Sequence, residues 1–80
     1  MQVLDLKRGD TATITGLHKG PNQYRKRLLS MGLTPGTPFT VLHIAPMGDP
    51  IAISVRGITL SLRRQEANLL GIECLNNNKE

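Results

Sequence analysis

The side chains that could act as nucleophiles, bases or metal ligands are few and scattered along this chain. The serines are Ser30, Ser54 and Ser61, the histidines His18 and His43, and the single cysteine is Cys74. A hydroxyl nucleophile needs a base within hydrogen-bond reach and a third group to orient that base. No serine lies in a Gly-x-Ser-x-Gly turn, and the two histidines flank different elements with no partnering acid suggested by spacing. The pattern points away from an enzyme. For a metal, His18, His43, Cys74, Asp5, Asp10, Asp49, Glu66 and Glu73 are the available donors. No pair has the Cys-x-x-Cys or His-x-x-x-His spacing that sets part of a site's geometry in advance. His43 reads as a barrel-wall residue and Cys74 as a small buried hydrophobe. Gly32 and Gly36 have the look of a phosphate loop but lack the lysine and hydroxyl that hold phosphate and magnesium. No catalytic residue, cofactor or metal ligand is therefore assigned.

What remains is the chemistry of contact. The formal net charge is +4, and the excess is local. Lys19, Arg25, Lys26 and Arg27 fall in one acid-free stretch, and Arg56, Arg63 and Arg64 form a second group. Such groups suit acidic partners or simply a solvated surface. Tyr24 and Phe39 are the only aromatics, too few for a base-stacking platform. A protruding Leu29, with Met31, among Arg25, Lys26 and Arg27 would make an apolar anchor with a basic rim, the layout of many interaction sites. The loop Pro46-Met47-Gly48-Asp49-Pro50 offers Met47 and Asp49 as a second contact. Asp49 also has a local explanation, since an aspartate before proline can set a turn by bonding to nearby backbone.

The elements that must position these residues are short. Thr11 to Leu17 alternates and is rich in threonine, which favours a strand. Asn22 to Met31 reads as a helix with an apolar stripe of Tyr24, Leu28 and Met31. Leu29 is turned about 100° from Leu28 and falls outside that stripe, so either the buried face is wide or Leu29 is an exposed apolar contact. Gly32 suits the left-handed position past the helix end, and Leu33 can fold back onto the last turn. Pro35-Gly36 suits the centre of a type II turn. A strand from Pro38 to Ala45 is apolar on both faces, with Phe39, Val41, His43 and Ala45 on one side, and so belongs at the centre of a sheet. Ile51 to Val55 and Ile58 to Leu62 alternate around Gly57, a turn or bulge. Gln65 to Leu69 is long enough for one helical turn, and Gly71 to Leu75 is a last strand.

Eighty residues make a single domain, expected over residues 1–75 with a disordered tail at 76–80. A chain this short buries only about 60% of the surface it exposes when unfolded. About five or six short strands with one inserted helix and a second helical turn fit a mainly β fold, a small, partly open SH3-like barrel. Its interior would be filled by Ile14, Val41, Ile53, Val55, Ile58 and Leu60. A lone cysteine and the lack of an early apolar run indicate a cytoplasmic protein. Its open strand edges allow weak self-association.

The run Arg27-Leu28-Leu29-Ser30-Met31-Gly32-Leu33-Thr34-Pro35-Gly36, then Ala45-Pro46-Met47-Gly48-Asp49-Pro50-Ile51-Ala52-Ile53, then Ile58-Thr59-Leu60-Ser61-Leu62-Arg63-Arg64-Gln65-Glu66-Ala67, resembles the bacterial ferrous-iron transport protein A family across residues 4 to 75. The resemblance implies a non-enzymatic, SH3-like accessory of ferrous-iron uptake. It would bind the membrane ferrous-iron transporter B, which bears a cytosolic G-protein domain, and so be recruited to the inner face of the membrane. The family supplies no catalytic or metal residue to carry over. The partner-binding residues expected on this chain are Arg25, Lys26, Leu29, Met31, Met47 and Asp49. The alternative is a basic SH3-like module binding nucleic acid, or part of an iron regulator, through Arg25, Arg27, Arg56, Arg63 and Arg64. With so few aromatics, no nucleic acid is the primary expectation.

Overall fold

Strand-forming runs separated by glycine and proline turns build most of the molecule, and the computed structural model describes residues 2–74. A 3₁₀ turn at Val3–Asp5 leads into β1 (Thr11–Leu17), helix α1 (Asn22–Ser30) and β2 (Pro38–Ile44). A second 3₁₀ turn at Pro46–Gly48 is followed by β3 (Ile51–Val55), β4 (Ile58–Leu62), the helical turn α2 (Arg64–Ala67) and β5 (Leu70–Cys74). All strand pairs are antiparallel, in the order β4-β3-β2-β1-β5. β2 is central in this order, although its second face stays partly open, with Thr40 half-buried and Leu42 exposed. Among the described residues there are five strands, and β4 and β5 stand at opposite ends of the order, so the barrel remains partly open. The last strand starts one residue before its expected place; Leu75 and the tail at 76–80 lie outside the described residues.

The connection between α1 and β2 is made by glycine geometry. Gly32 has φ +87°, Leu33 N–H donates to Leu28 O at 3.1 Å, and Gly32 N–H donates to Leu29 O at 3.0 Å. These paired bonds form a Schellman cap, which ends the helix at Ser30 rather than Met31 and turns Leu33 inward, fully buried. Gly36 follows at φ +90°, and Thr37 N–H closes the turn on Thr34 O at 3.1 Å. Gly36 N–H also donates to Ile14 O, and Ile14 N–H to Thr37 O, so the turn is laid against β1.

Two expectations about side-chain direction are overturned. β2 and β3 shift register between Val41 and His43, so the extra residue reverses the faces of β2 beyond that point. Phe39 and Val41 are buried as expected, whereas Leu42 and His43 are exposed and Ile44 is half-buried against the core. β4 holds the second correction. Leu62 is buried and Leu60 half-buried, but Ile58 is 61% exposed. The alternation is right, yet β4 is an edge strand whose hairpin end runs past the core, so cover declines along one face. Ile51, Ile53 and Val55 on β3, with a neighbour on each side, are all buried.

Candidate partner-binding surface

α1 packs through Leu28, which is fully buried, with Tyr24 and Met31 half-buried against the core. One residue on, Leu29 points outward at 45% exposure. Lys26, three residues before it, is exposed, and Arg25 is half-buried. The Nε of Arg25 is shielded from solvent without a hydrogen-bond partner among the described residues. An apolar group therefore stands on a basic helix, as expected, while Met31 serves mainly as packing.

Arg27 departs from the free basic rim. Its Nη1 donates to Oε2 of Glu66, and the pair joins α1 to α2. Glu66 is 3% exposed and accepts a second hydrogen bond through Oε1 from Arg63 N–H at 2.9 Å, which satisfies an otherwise orphan donor at the start of α2. Burial alone pushes the Glu66 carboxyl up. The Arg27 hydrogen bond, the Arg63 N–H and the two positive charges outweigh that push, leaving the group below its ordinary value of 4.5.

The 46–50 loop also reaches the start of α2. Asp49 Oδ1 accepts from Arg64 N–H at 3.3 Å and lies 3.7 Å from Arg63 Nη1. Asp49 therefore does not set its own turn through a local bond; it ties the loop to the start of α2. Met47 is 85% exposed and carries φ +69°, while Gly48 packs close to Leu4 of the first 3₁₀ turn. Arg27 and Asp49, one from each expected contact group, are thus both held at the first turn of α2. Of the arginines considered for nucleic acid, Arg27 and Arg63 sit beside carboxylates.

Sequence reasoning missed Glu66 as the shared anchor, although an acid three residues after a helix start is a recognised capping signal. It also missed Thr37, which is buried and gathers Thr34 Oγ1 at 3.1 Å, Gly32 O at 3.3 Å and Arg56 Nη2 at 3.5 Å. Thr37 and Arg56 link the α1 cap to the tip of the β3–β4 hairpin. Among the described residues no three of His, Cys, Asp and Glu gather into a metal-binding group, and no helix is long and apolar enough to cross a membrane.

Comparison with known proteins gives this surface a setting. The model of the FeoA domain matches residues 1–74. A Porphyromonas gingivalis protein described as an Fe(2+) transport protein A/Fe(2+) transporter FeoB fusion is 35% identical over 78 residues, covering 98% of this chain. The chain spans only 9% of that much longer relative. The solution structure of a FeoA protein from Chlorobium tepidum is 37% identical, with a TM-score of 0.83 over 99% of this chain and 74% of that one. A Stenotrophomonas maltophilia FeoA complexed with zinc, described as a prokaryotic SH3 domain protein, shares the fold at 20% identity. Its TM-score is 0.78 over 91% of this chain and 89% of that one. An SH3-like sheet with a capped helix, matched along its length by these proteins, places the chain in the FeoA family of ferrous-iron transport proteins.

Proposed function

We propose that this chain is a non-enzymatic, cytoplasmic accessory of ferrous-iron uptake that binds the cytosolic part of the transporter FeoB, foremost its G-protein domain, and modulates transport or GTP hydrolysis there. The observation that carries this reading is the Porphyromonas relative, in which a domain like this one is joined to FeoB in a single polypeptide. Covalent linkage keeps two modules together at an effective concentration on the order of millimolar, which suits a contact that is weak when the parts are separate. The contact surface is α1, with Leu29 as apolar anchor and Arg25 and Lys26 at its rim, supported by Met47 and Asp49 of the loop tied to the start of α2.

The test compares binding of the wild-type chain and Leu29→Glu to membranes carrying intact FeoB, with thermal unfolding of both proteins alongside. Leu29→Glu retains the fold and loses binding by about tenfold or more, the scale of an anchor residue. Undiminished binding by the variant excludes this helix face. Absence of binding by the wild-type chain removes the proposal itself.

A further inference from the structure

The two ends of the sheet are finished differently. β5 is largely buried and has the first 3₁₀ turn packed against it. β4 has β3 on one side only, and its five residues Ile58-Thr59-Leu60-Ser61-Leu62 include no charge, proline or glycine. Those are the features by which proteins ordinarily blunt an open edge. The register against β3 runs without a bulge from Val55–Ile58 to Ile51–Leu62.

The hairpin identifies the backbone groups left over. Arg56 and Gly57 both have positive φ, +52° and +81°, so the two-residue loop has the type I′ form. In such a hairpin the closing pair, Val55–Ile58, exchanges both hydrogen bonds, and alternation assigns Ile53–Leu60 and Ile51–Leu62 likewise. Thr59 and Ser61 therefore turn their N–H and C=O groups outward. Both residues are exposed, and no backbone bond beyond the hairpin meets them among the described residues. Ile58, 61% exposed, stands at one end of this free ladder.

Charge selects the occupant. Arg56 lies at one end of β4 and Arg64 at the other, with Arg63 beside it partly offset by Asp49 at 3.7 Å, and residues 51–62 contain no acid. Two copies of β4 pairing antiparallel about Leu60 would set Arg56 opposite Arg64 at both ends, and like charges facing across strands are destabilising. An acidic strand meets attraction at the same positions. We propose that the β4 edge accepts an extended polypeptide segment from another protein as an additional antiparallel strand, one with acidic residues near both ends and an apolar residue beside Ile58. Main-chain bonds to Thr59 and Ser61 supply affinity, while the arginines select the sequence. This surface is separate from the α1 face and stands or falls without it.

The probe is a synthetic peptide of about nine residues, alternating valine and threonine with two acids at each end, compared with the same peptide ended by lysines. Amide hydrogen exchange of the whole chain is followed by NMR. The acidic peptide slows exchange at Thr59 and Ser61 by about tenfold or more, an effect of local protection, and the lysine peptide does not. Ser61→Pro removes one outward donor at a position where an edge strand tolerates proline, and it abolishes binding with the fold retained. Equal binding of the two peptides, protection confined to α1 or the 46–50 loop, or no binding overturns the proposal. Protection of Thr59 and Ser61 in the chain alone, rising with its own concentration, also overturns it by making a second copy the occupant. The wild-type exchange map decides the matter even if Ser61→Pro fails to fold.

Discussion

The Arg27 guanidinium on α1 rests on the Glu66 carboxylate of α2, joining residues 39 positions apart in sequence. The pair is asymmetric: the Arg27 side chain is half-exposed, whereas that of Glu66 is 3% exposed. Water can compensate the arginine for a lost partner but has little access to the acid. Arg27→Ala should therefore destabilise by about 1–3 kcal/mol, chiefly through an orphaned carboxylate. Adding Glu66→Gln to Arg27→Ala should recover part of that loss, because the amide carries no charge. Urea denaturation of the two single variants and the double variant measures the coupling.

The same pair sets an acid limit. Glu66 titrates lower in the fold than in the unfolded chain, so near its ordinary value the unfolded state binds more protons. Its stabilising contribution is present above about pH 4.5, the ordinary value, and is lost as pH falls through the lower folded one. Stability should decline below that point in the wild type. In Arg27→Ala burial is no longer outweighed by the arginine, and this part of the decline should shrink or reverse. Unfolding midpoints measured from pH 3 to 6, about the range around carboxylate titration, distinguish the two proteins.

Adjacent leucines on α1 should respond very differently to truncation. Leu28→Ala opens space in the core and should cost about 2–5 kcal/mol. Leu29→Ala removes an exposed side chain and should remain within about 0.5 kcal/mol of wild type. Equal losses in chemical denaturation would mean that Leu29 is also part of the core.

Three glycine-to-alanine changes should separate by sign. Gly32 and Gly36 hold left-handed backbone at the helix cap and the following turn, and alanine at either should cost about 1–2 kcal/mol. At Gly32 the new Cβ would also lie 3.2 Å from Arg56 Nη1, the flexible end of a side chain that can yield. Gly16 is not in the left-handed region and has open space where a Cβ would stand. Gly16→Ala should stabilise by about 0.4–1 kcal/mol through the unfolded chain. Thermal unfolding of the three variants gives the order.

Local signals carried much of this fold. The run Gly32 to Gly36 specifies its cap and turn because only glycine enters left-handed backbone without strain. The alternation in β1 and β3 reports a period of two that neighbouring strands do not alter. Leu29 stands outside the buried stripe because successive helical residues are turned by a fixed angle. The family was also legible in three blocks of sequence, and so was the helix that serves as the first candidate contact.

Other features depend on which elements meet. Ile58 and Ile53 are the same residue type on alternating strands, yet one is at the surface and the other in the core, because β4 is an edge and β3 is not. His43 left the Phe39 face because a register shift is a property of two paired strands rather than one. Arg27 and Asp49 look like surface charges in the chain and become the two ties of α2, through partners 39 and 15 residues away. By itself the sequence determined the turns, the periods and the family, since these rest on the conformational limits and order of near neighbours. Tertiary structure alone decided which apolar groups stayed exposed and which charges were matched, because burial and ion pairing depend on what stands opposite in space.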